Sequence, residues 1–218
     1  MVQSVSRAVG PVSGVAAESR GERKERTRRQ ILDAALDLCE DSSLVALSLR
    51  QVAKEVGIVP TAFYRHFDSI EDLALALVEE SFVSLREMLK DVRRSDPTYR
   101  TIIDNSVRVL AEHTAVQHSH FAFIARERVA GPPGVRDAIR HQIELVEREL
   151  ATDLARLTDP ARWTAEDLRV LSNLIVTLMV GATESIVNAR PETRPTIMDN
   201  ARTQLRMLLV GALRWSSA

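Results

Sequence analysis

Within Thr61–His66 the chain gathers a hydroxyl, a phenol, a guanidinium and an imidazole. If Pro60 opens a short helix there, Thr61, Tyr64, Arg65 and His66 lie on its outer side. Phe63 and Phe67, one turn apart, lie on the inner side. The hydroxyl, phenol and imidazole suit phosphate oxygens, which position a protein on a duplex without reading its sequence. The Arg65 guanidinium matches the paired acceptors of guanine, a contact that discriminates by ~1–3 kcal/mol. The chemistry these groups share is recognition of duplex DNA. Arg20–Arg29 (RGERKERTRR) adds six Lys/Arg against two Glu, a local +4, and Arg28 is its candidate phosphate contact.

The surrounding pattern explains how such a helix would be held. A first helix over about Arg23–Glu40 has Ile31, Ala34, Ala35 and Leu38 on one stripe. After a break at Asp41–Ser43, Ser48 and Gln51 form a capping box for a second helix, whose inner face is Leu49, Val52, Ala53 and Val56. Gly57 supplies the left-handed residue that ends it, and Pro60 opens the third helix, over Pro60–Phe67. Small Ala53 at the crossing and Gly57 in the turn are what a helix-turn-helix needs. Ser69 and Asp72 then cap a long helix over about 70–94. Further helices are predicted at about 98–114, 118–129, 133–157, 164–189 and 194–215, with Thr164 and Asp167 capping the penultimate one.

The fold expected is all-α with about nine helices, no strand and no internal repeat. It divides into a flexible arm (1–22), a three-helix DNA-binding domain (23–68) and a helical ligand-binding and dimerisation domain (69–218). With 218 residues, 45% hydrophobic and 27% charged, the chain can build a substantial core. Cys39 is the single cysteine, which leaves no internal disulfide and predicts a reducing, cytoplasmic setting. No apolar run comparable to the ~20 residues of a membrane span stands out, and the N-terminus lacks the compact apolar region of a signal peptide. No membrane partner is expected.

Residues 24–89 resemble the N-terminal part of TetR-family repressors: K-x-x-T-R-x-x-I-L-x-A-A, the helix-turn-helix, then Y-x-H-F before an acidic-capped long helix. The resemblance implies a homodimeric repressor of a palindromic operator, controlled by a small molecule. It implies DNA contacts from Arg50 and Ser48 as well as from Thr61, Tyr64, Arg65 and His66. The chain departs from the family at Val59, where Ser or Thr is common, at Ala62, where Thr is common, and at Ile70, where a phosphate-gripping Lys is common. The basic stretch before the first helix is the candidate replacement for that Lys. The segment G-I-x-P-T-x-F-Y-R-H-F, with L-S-L-R-x-V-A before it and R-E-R (Arg126–Arg128) after it, is similar to repressors of unsaturated-fatty-acid synthesis and desaturase genes. That implies long-chain fatty acyl-CoA as the effector.

In the C-terminal half the penultimate helix is apolar on more than one side, which exceeds the need of a single core face. Its Leu178, Gly181, Ala182 and Ser185 are candidate dimer contacts, with Leu205, Leu208, Leu209 and Ala212 of the last helix. Phe82, Leu85, Met88, Phe121, Phe123 and Ile124 are candidates to line an apolar ligand site. Asn173 and Thr177, polar positions within an apolar helix, are candidates to orient the ligand, and Arg126 and Arg128 to hold an anionic headgroup. The alternative for both arginines is a structural ion pair. His113, His118 and His120 do not match a zinc pattern, so no metal and no cofactor is expected. Without a phosphate loop, nucleophile elbow or H-E-x-x-H, the chain does not read as an enzyme. Two rival readings are a regulator of an efflux or catabolic operon sensing another hydrophobic ligand, and a helical adaptor that binds protein.

Overall fold

The structure, a computed structural model, describes residues 19–94, 101–157 and 163–215. Among these residues there are nine α-helices and two short 3-10 turns and no strand. In order the helices are α1 (Arg20–Asp41), α2 (Leu49–Val56), α3 (Pro60–Phe63), α4 (Ile70–Arg94), α5 (Ile102–Val116), α6 (His118–Ala130), α7 (Pro133–Leu157), α8 (Ala165–Val187) and α9 (Arg194–Arg214). The 3-10 turns are Leu44–Ala46 and Pro191–Thr193. Residues 1–18 of the expected arm lie outside the described residues, as do Asp96–Pro97 and Asp159–Pro160, where the sequence predicts breaks between helices.

The helix starts follow from local chemistry. Reciprocal capping boxes open α2 (Ser48, Gln51) and α8 (Thr164, Asp167). At α4 the Ser69 hydroxyl accepts from Asp72 N–H, while the Asp72 carboxylate reaches back to Asp68 N–H rather than to Ser69. Helix α1 begins three residues earlier than expected because Ser19 and Glu22 form a further box. The stretch 20–30 is therefore helix, with most of its side chains exposed, before Ile31 enters the core.

Two apolar cores fill the chain. The first joins α1–α3 to the first half of α4 (Leu73, Leu77, Phe82), to Phe123 of α6 and to Val135 and Ile139 of α7. The second lies among Met88 of α4, Val107 and Leu110 of α5, Phe121 of α6, and α8 and α9. The core of the helix-turn-helix thus continues across residue 68 into α4, α6 and α7. Helix α4, about 37 Å long at 1.5 Å per residue, contributes to both cores.

Helix α8 corrects one expectation. By length and composition it could cross a membrane, although the sequence shows no such run to simple inspection. Part of its apolar surface packs on α5, α6, α7 and α9, and the rest is exposed, at Val170 and Leu174 among others.

Candidate nucleic-acid interface and effector cavity

The helix-turn-helix is held by Val52 and Ala53 of α2 and by Phe63 and Phe67, all essentially buried. Gly57 takes φ 73°, ψ 27°, and its N–H bonds back to Ala53 and Lys54, closing α2 as its left-handed conformation allows. The regular part of α3 spans only Pro60–Phe63. Arg65 N–H to Ala62 C=O (3.2 Å), His66 N–H to Phe63 C=O (2.9 Å) and Phe67 N–H to Phe63 C=O (3.1 Å) then carry the coil on to Phe67. The recognition element therefore covers the expected Pro60–Phe67, with a tightened last turn. The Phe63 ring meets Tyr64 edge-on (centroids 6.0 Å apart) and Phe67 at a tilt (5.7 Å), and the buried pair Phe63–Phe67 fixes which side faces out.

That side carries Pro60, Thr61, Tyr64 and Arg65, all exposed. Ser48 and Arg50 are exposed at the start of α2. The Ser48 hydroxyl is engaged with Gln51, so its first role is the cap. His66 is half-buried, and its Nδ1 is shut from solvent without a hydrogen-bond partner. Burial holds its pKa below the usual imidazole range, and the positive charges of Lys24, Arg28 and Arg65 add to the effect. The Arg28 guanidinium stacks over the Phe67 ring, 4.8 Å from its centroid. Ile70, where the family often has Lys, packs against the first core. The N-terminal half of α1 thus brings Lys24 and Arg28 to the end of the recognition element. Lys24 was not singled out from the sequence; its place within the basic run was the available signal.

The effector half differs more from expectation. A cavity of about 460 Å3 opens between α4, α5, α7, α8 and α9. Met88, Leu110, Leu150 and Met179 are among its lining residues, and Ser106, Thr183, Asp153 and Arg156 supply polar groups. Of the proposed ligand contacts only Leu85 and Met88 line it. Phe82 and Ile124 belong to the first core and Phe121 to the second. Asn173 and Thr177 are exposed, and the Asn173 amide donates to Glu147 at 3.0 Å, so neither is a buried polar contact. Leu205 and Leu209, proposed for the dimer, line this cavity instead. The α7 contribution, Val146, Leu150 and Leu154, lies outside the expected lining, and its four-residue repeat is the sequence signal that points to it.

Arg126 and Arg128 also lie elsewhere. The Arg126 guanidinium donates to the carbonyls of Cys39, Glu40 (2.8 Å) and Ser42 (2.6 Å), at the C-terminal end of α1. A cation there satisfies carbonyls that the helix leaves open and complements its dipole. Glu127, fully buried, accepts from Leu44 N–H at 3.1 Å. Burial raises its pKa, opposed by that hydrogen bond and by Arg126. Burial, with Glu127 beside it, pushes the Cys39 thiol up to about 11. Arg128 pairs with Glu184 of α8 at 2.6 Å. The R-E-R triplet is thus a junction of α1, α6 and α8, in which Arg128 makes a structural ion pair while Arg126 holds backbone carbonyls instead.

Among the proposed dimer contacts, Ala182 and Leu205 are buried within the chain's own second core. Gly181 and Ser185 are exposed, while Leu178, Leu208, Leu209 and Ala212 are partly covered. The exposed apolar groups on α8 and α9 are Val170, Leu174, Met207, Val210, Leu213 and, at the end of α9, Trp215. No group of three or more His, Cys, Asp or Glu placed to hold a metal occurs among the described residues.

Residues 31–77 match the family model of bacterial regulatory proteins, tetR family. Three solved structures share the fold. A transcriptional regulator from Rhodococcus sp. Rha1 has TM-score 0.67 and 19% identity, covering 84% of this chain and 96% of that one. The TetR-family regulator SCO4454 from Streptomyces coelicolor has TM-score 0.67 and 18% identity, covering 86% and 96%. The fatty acid degradation regulator FadR from Bacillus halodurans has TM-score 0.67 and 16% identity, covering 86% and 96%. At these identities the likenesses establish the fold alone. The family match covers the helix-turn-helix and the start of α4, and over the rest of the chain the likeness to these regulators is one of fold.

Proposed function

We propose that the chain is a cytoplasmic repressor that binds a palindromic operator as a homodimer and is controlled by an apolar effector in the α4/α5/α7/α8/α9 cavity. The observation that carries the effector reading is the cavity itself. Its size falls within the ~300–1,000 Å3 of small-molecule sites, and its lining is mostly apolar with a few polar groups. Arg28, Ser48, Arg50, Pro60, Thr61, Tyr64, Arg65 and His66 supply the operator contacts. The twofold axis lies on the outer faces of α8 and α9, where Val170, Leu174, Met207 and Val210 are exposed. A twofold dimer presents two recognition elements to two half-sites.

Long-chain fatty acyl-CoA, acting on desaturation or lipid-synthesis genes, is the effector we favour. Its support is the P-T-x-F-Y-R-H-F recognition segment, the apolar cavity lining, and a fold shared with a fatty acid degradation regulator. Arg156, paired with Asp153 at 3.5 Å along the cavity lining, takes over the headgroup role first given to Arg126 and Arg128. A gel-shift salt titration against the chain's own promoter and neighbouring fatty-acid genes tests the repressor. A salt-sensitive shift at a palindrome is expected, and none at any site removes the reading. Thermal shift with saturated and unsaturated acyl-CoAs tests the effector. No change in Tm or operator affinity with any of them leaves the regulator of an efflux or catabolic operon as the reading.

A further inference from the structure

The geometry points to Val59 as a reader of thymine: its isopropyl group contacts a thymine 5-methyl in the major groove and sets a base preference at the leading edge of the recognition helix. This rests on the DNA-binding reading above and names a specificity contact within it.

Val59 occupies the N-cap of α3, with φ −72° and ψ 146°, and its side chain makes no capping bond. It is 63% exposed, whereas its neighbour Ile58 packs against the first core. The position is costly for the fold in two ways. Four helices open on hydroxyl caps, at Ser19, Ser48 and Thr164 and at Ser69 before α4, whereas α6 and α9, like α3, open without a side-chain cap bond. A valine forgoes that bond and leaves an apolar group in water. Core packing does not repay either cost, and residues held against a local rule tend to mark functional sites.

The backbone fixes where this group stands. Ala62 N–H donates to Val59 C=O at 2.8 Å, so Val59 is locked into the first turn, beside exposed Pro60 and Thr61. In helix-turn-helix proteins the N-terminal residues of the recognition helix are those that reach base edges. A stiff, β-branched side chain has no donor or acceptor, so it can bond neither a phosphate oxygen nor a polar base edge. Of the groups that line the major groove, the thymine methyl is the apolar one it can contact.

The test begins with selection of binding sites from a random duplex library by the full-length protein. Each thymine of the selected half-site is then replaced by uracil, which removes only the methyl group. Affinities are measured at fixed salt for wild type, Val59→Ala and Val59→Ser. At one thymine per half-site, uracil is expected to weaken the wild type about four-fold, the value of burying one methyl-sized group. The same replacement should leave Val59→Ala unaffected. Val59→Ser, which restores a capping hydroxyl, should melt at or above the wild-type Tm while losing the same methyl sensitivity. Equal uracil sensitivity in wild type and Val59→Ala at every position overturns the inference while leaving operator binding intact. A library that yields no enriched site at any salt overturns the DNA-binding reading, and this inference with it.

Discussion

Arg65 and Tyr64 share one exposed face but have different partners available in a groove. A guanidinium can span two acceptors of one guanine, while a phenol reaches a phosphate oxygen that is the same for every base pair. Arg65→Ala should therefore flatten base preference at one position by ~1–3 kcal/mol, as read by competition among operator variants. Tyr64→Phe should weaken all sequences alike. Lys24 stands close enough to His66 to depress its pKa. If that charge meets a phosphate, Lys24→Ala should lower the slope of log K against log salt by about 0.9 and leave base preference unchanged. An unchanged slope would remove Lys24 from the interface.

Much of this face was legible in the sequence, because Pro60, Gly57 and the Phe63–Phe67 spacing fix both the start of the helix and its inner side. Lys24 was less so, since its approach to His66 depends on how α1 crosses the recognition element. Val59 read as a departure from a family pattern. Its exposure, on which the inference turns, is a property of the folded turn.

Helix α6 shows where element-level pattern stops being informative. Phe121 and Phe123 are two residues apart and enter different cores, so α6 has no single apolar stripe. A helix lodged between two cores gives no clean period, and its residues were pooled as one ligand-lining cluster. The capped helices α2, α4 and α8 were readable because their signals lie within four residues of sequence. The Arg126 contacts, by contrast, join positions more than eighty residues apart.

At this junction Arg126→Ala removes a charged donor from three carbonyls at the end of α1. It should cost about 2–3 kcal/mol of stability, measured by urea unfolding. Glu127 predicts the opposite sign with a pH dependence. Its folded-state pKa is raised, so ionising it disfavours the folded state, and stability falls as pH rises from the unfolded value of 4.5 through the folded one. Glu127→Gln keeps an acceptor for Leu44 N–H but carries no charge. The variant should therefore be the more stable at neutral pH, with the advantage shrinking as pH falls through the raised pKa and gone below about 4.5. An advantage that does not change with pH would mean that the carboxyl titrates alike in the folded and unfolded protein, and that burial does not raise its pKa. Gly131 borders the same site: a Cβ there would lie 2.5 Å from the Glu127 carbonyl oxygen. Gly131→Ala should accordingly distort the end of α6.

For the whole molecule, α8 is the element on which the proposed effector site and the proposed dimer face converge. Ile175, Val176, Met179 and Thr183 line the cavity. Val170 and Leu174 point out of the chain, and Glu184 ties α8 to Arg128 of α6. Only 28% of its most apolar stretch is buried within the chain, as expected for a helix completed by a second copy. Leu174→Glu should give a monomer by light scattering, and operator affinity should drop by ~10²–10⁴-fold as two linked half-site contacts become independent. A ligand in the cavity would displace α8 from within, while the dimer face fixes it from outside, so the spacing of the two recognition elements becomes the adjustable quantity. Met179→Trp tests that coupling by filling the cavity permanently. The variant should remain dimeric and lose the thermal shift given by acyl-CoA. Its operator affinity should no longer respond to acyl-CoA, but should be held at one fixed value. If Met179→Trp stays dimeric and responds to acyl-CoA as the wild type does, the effector acts from a site other than this cavity.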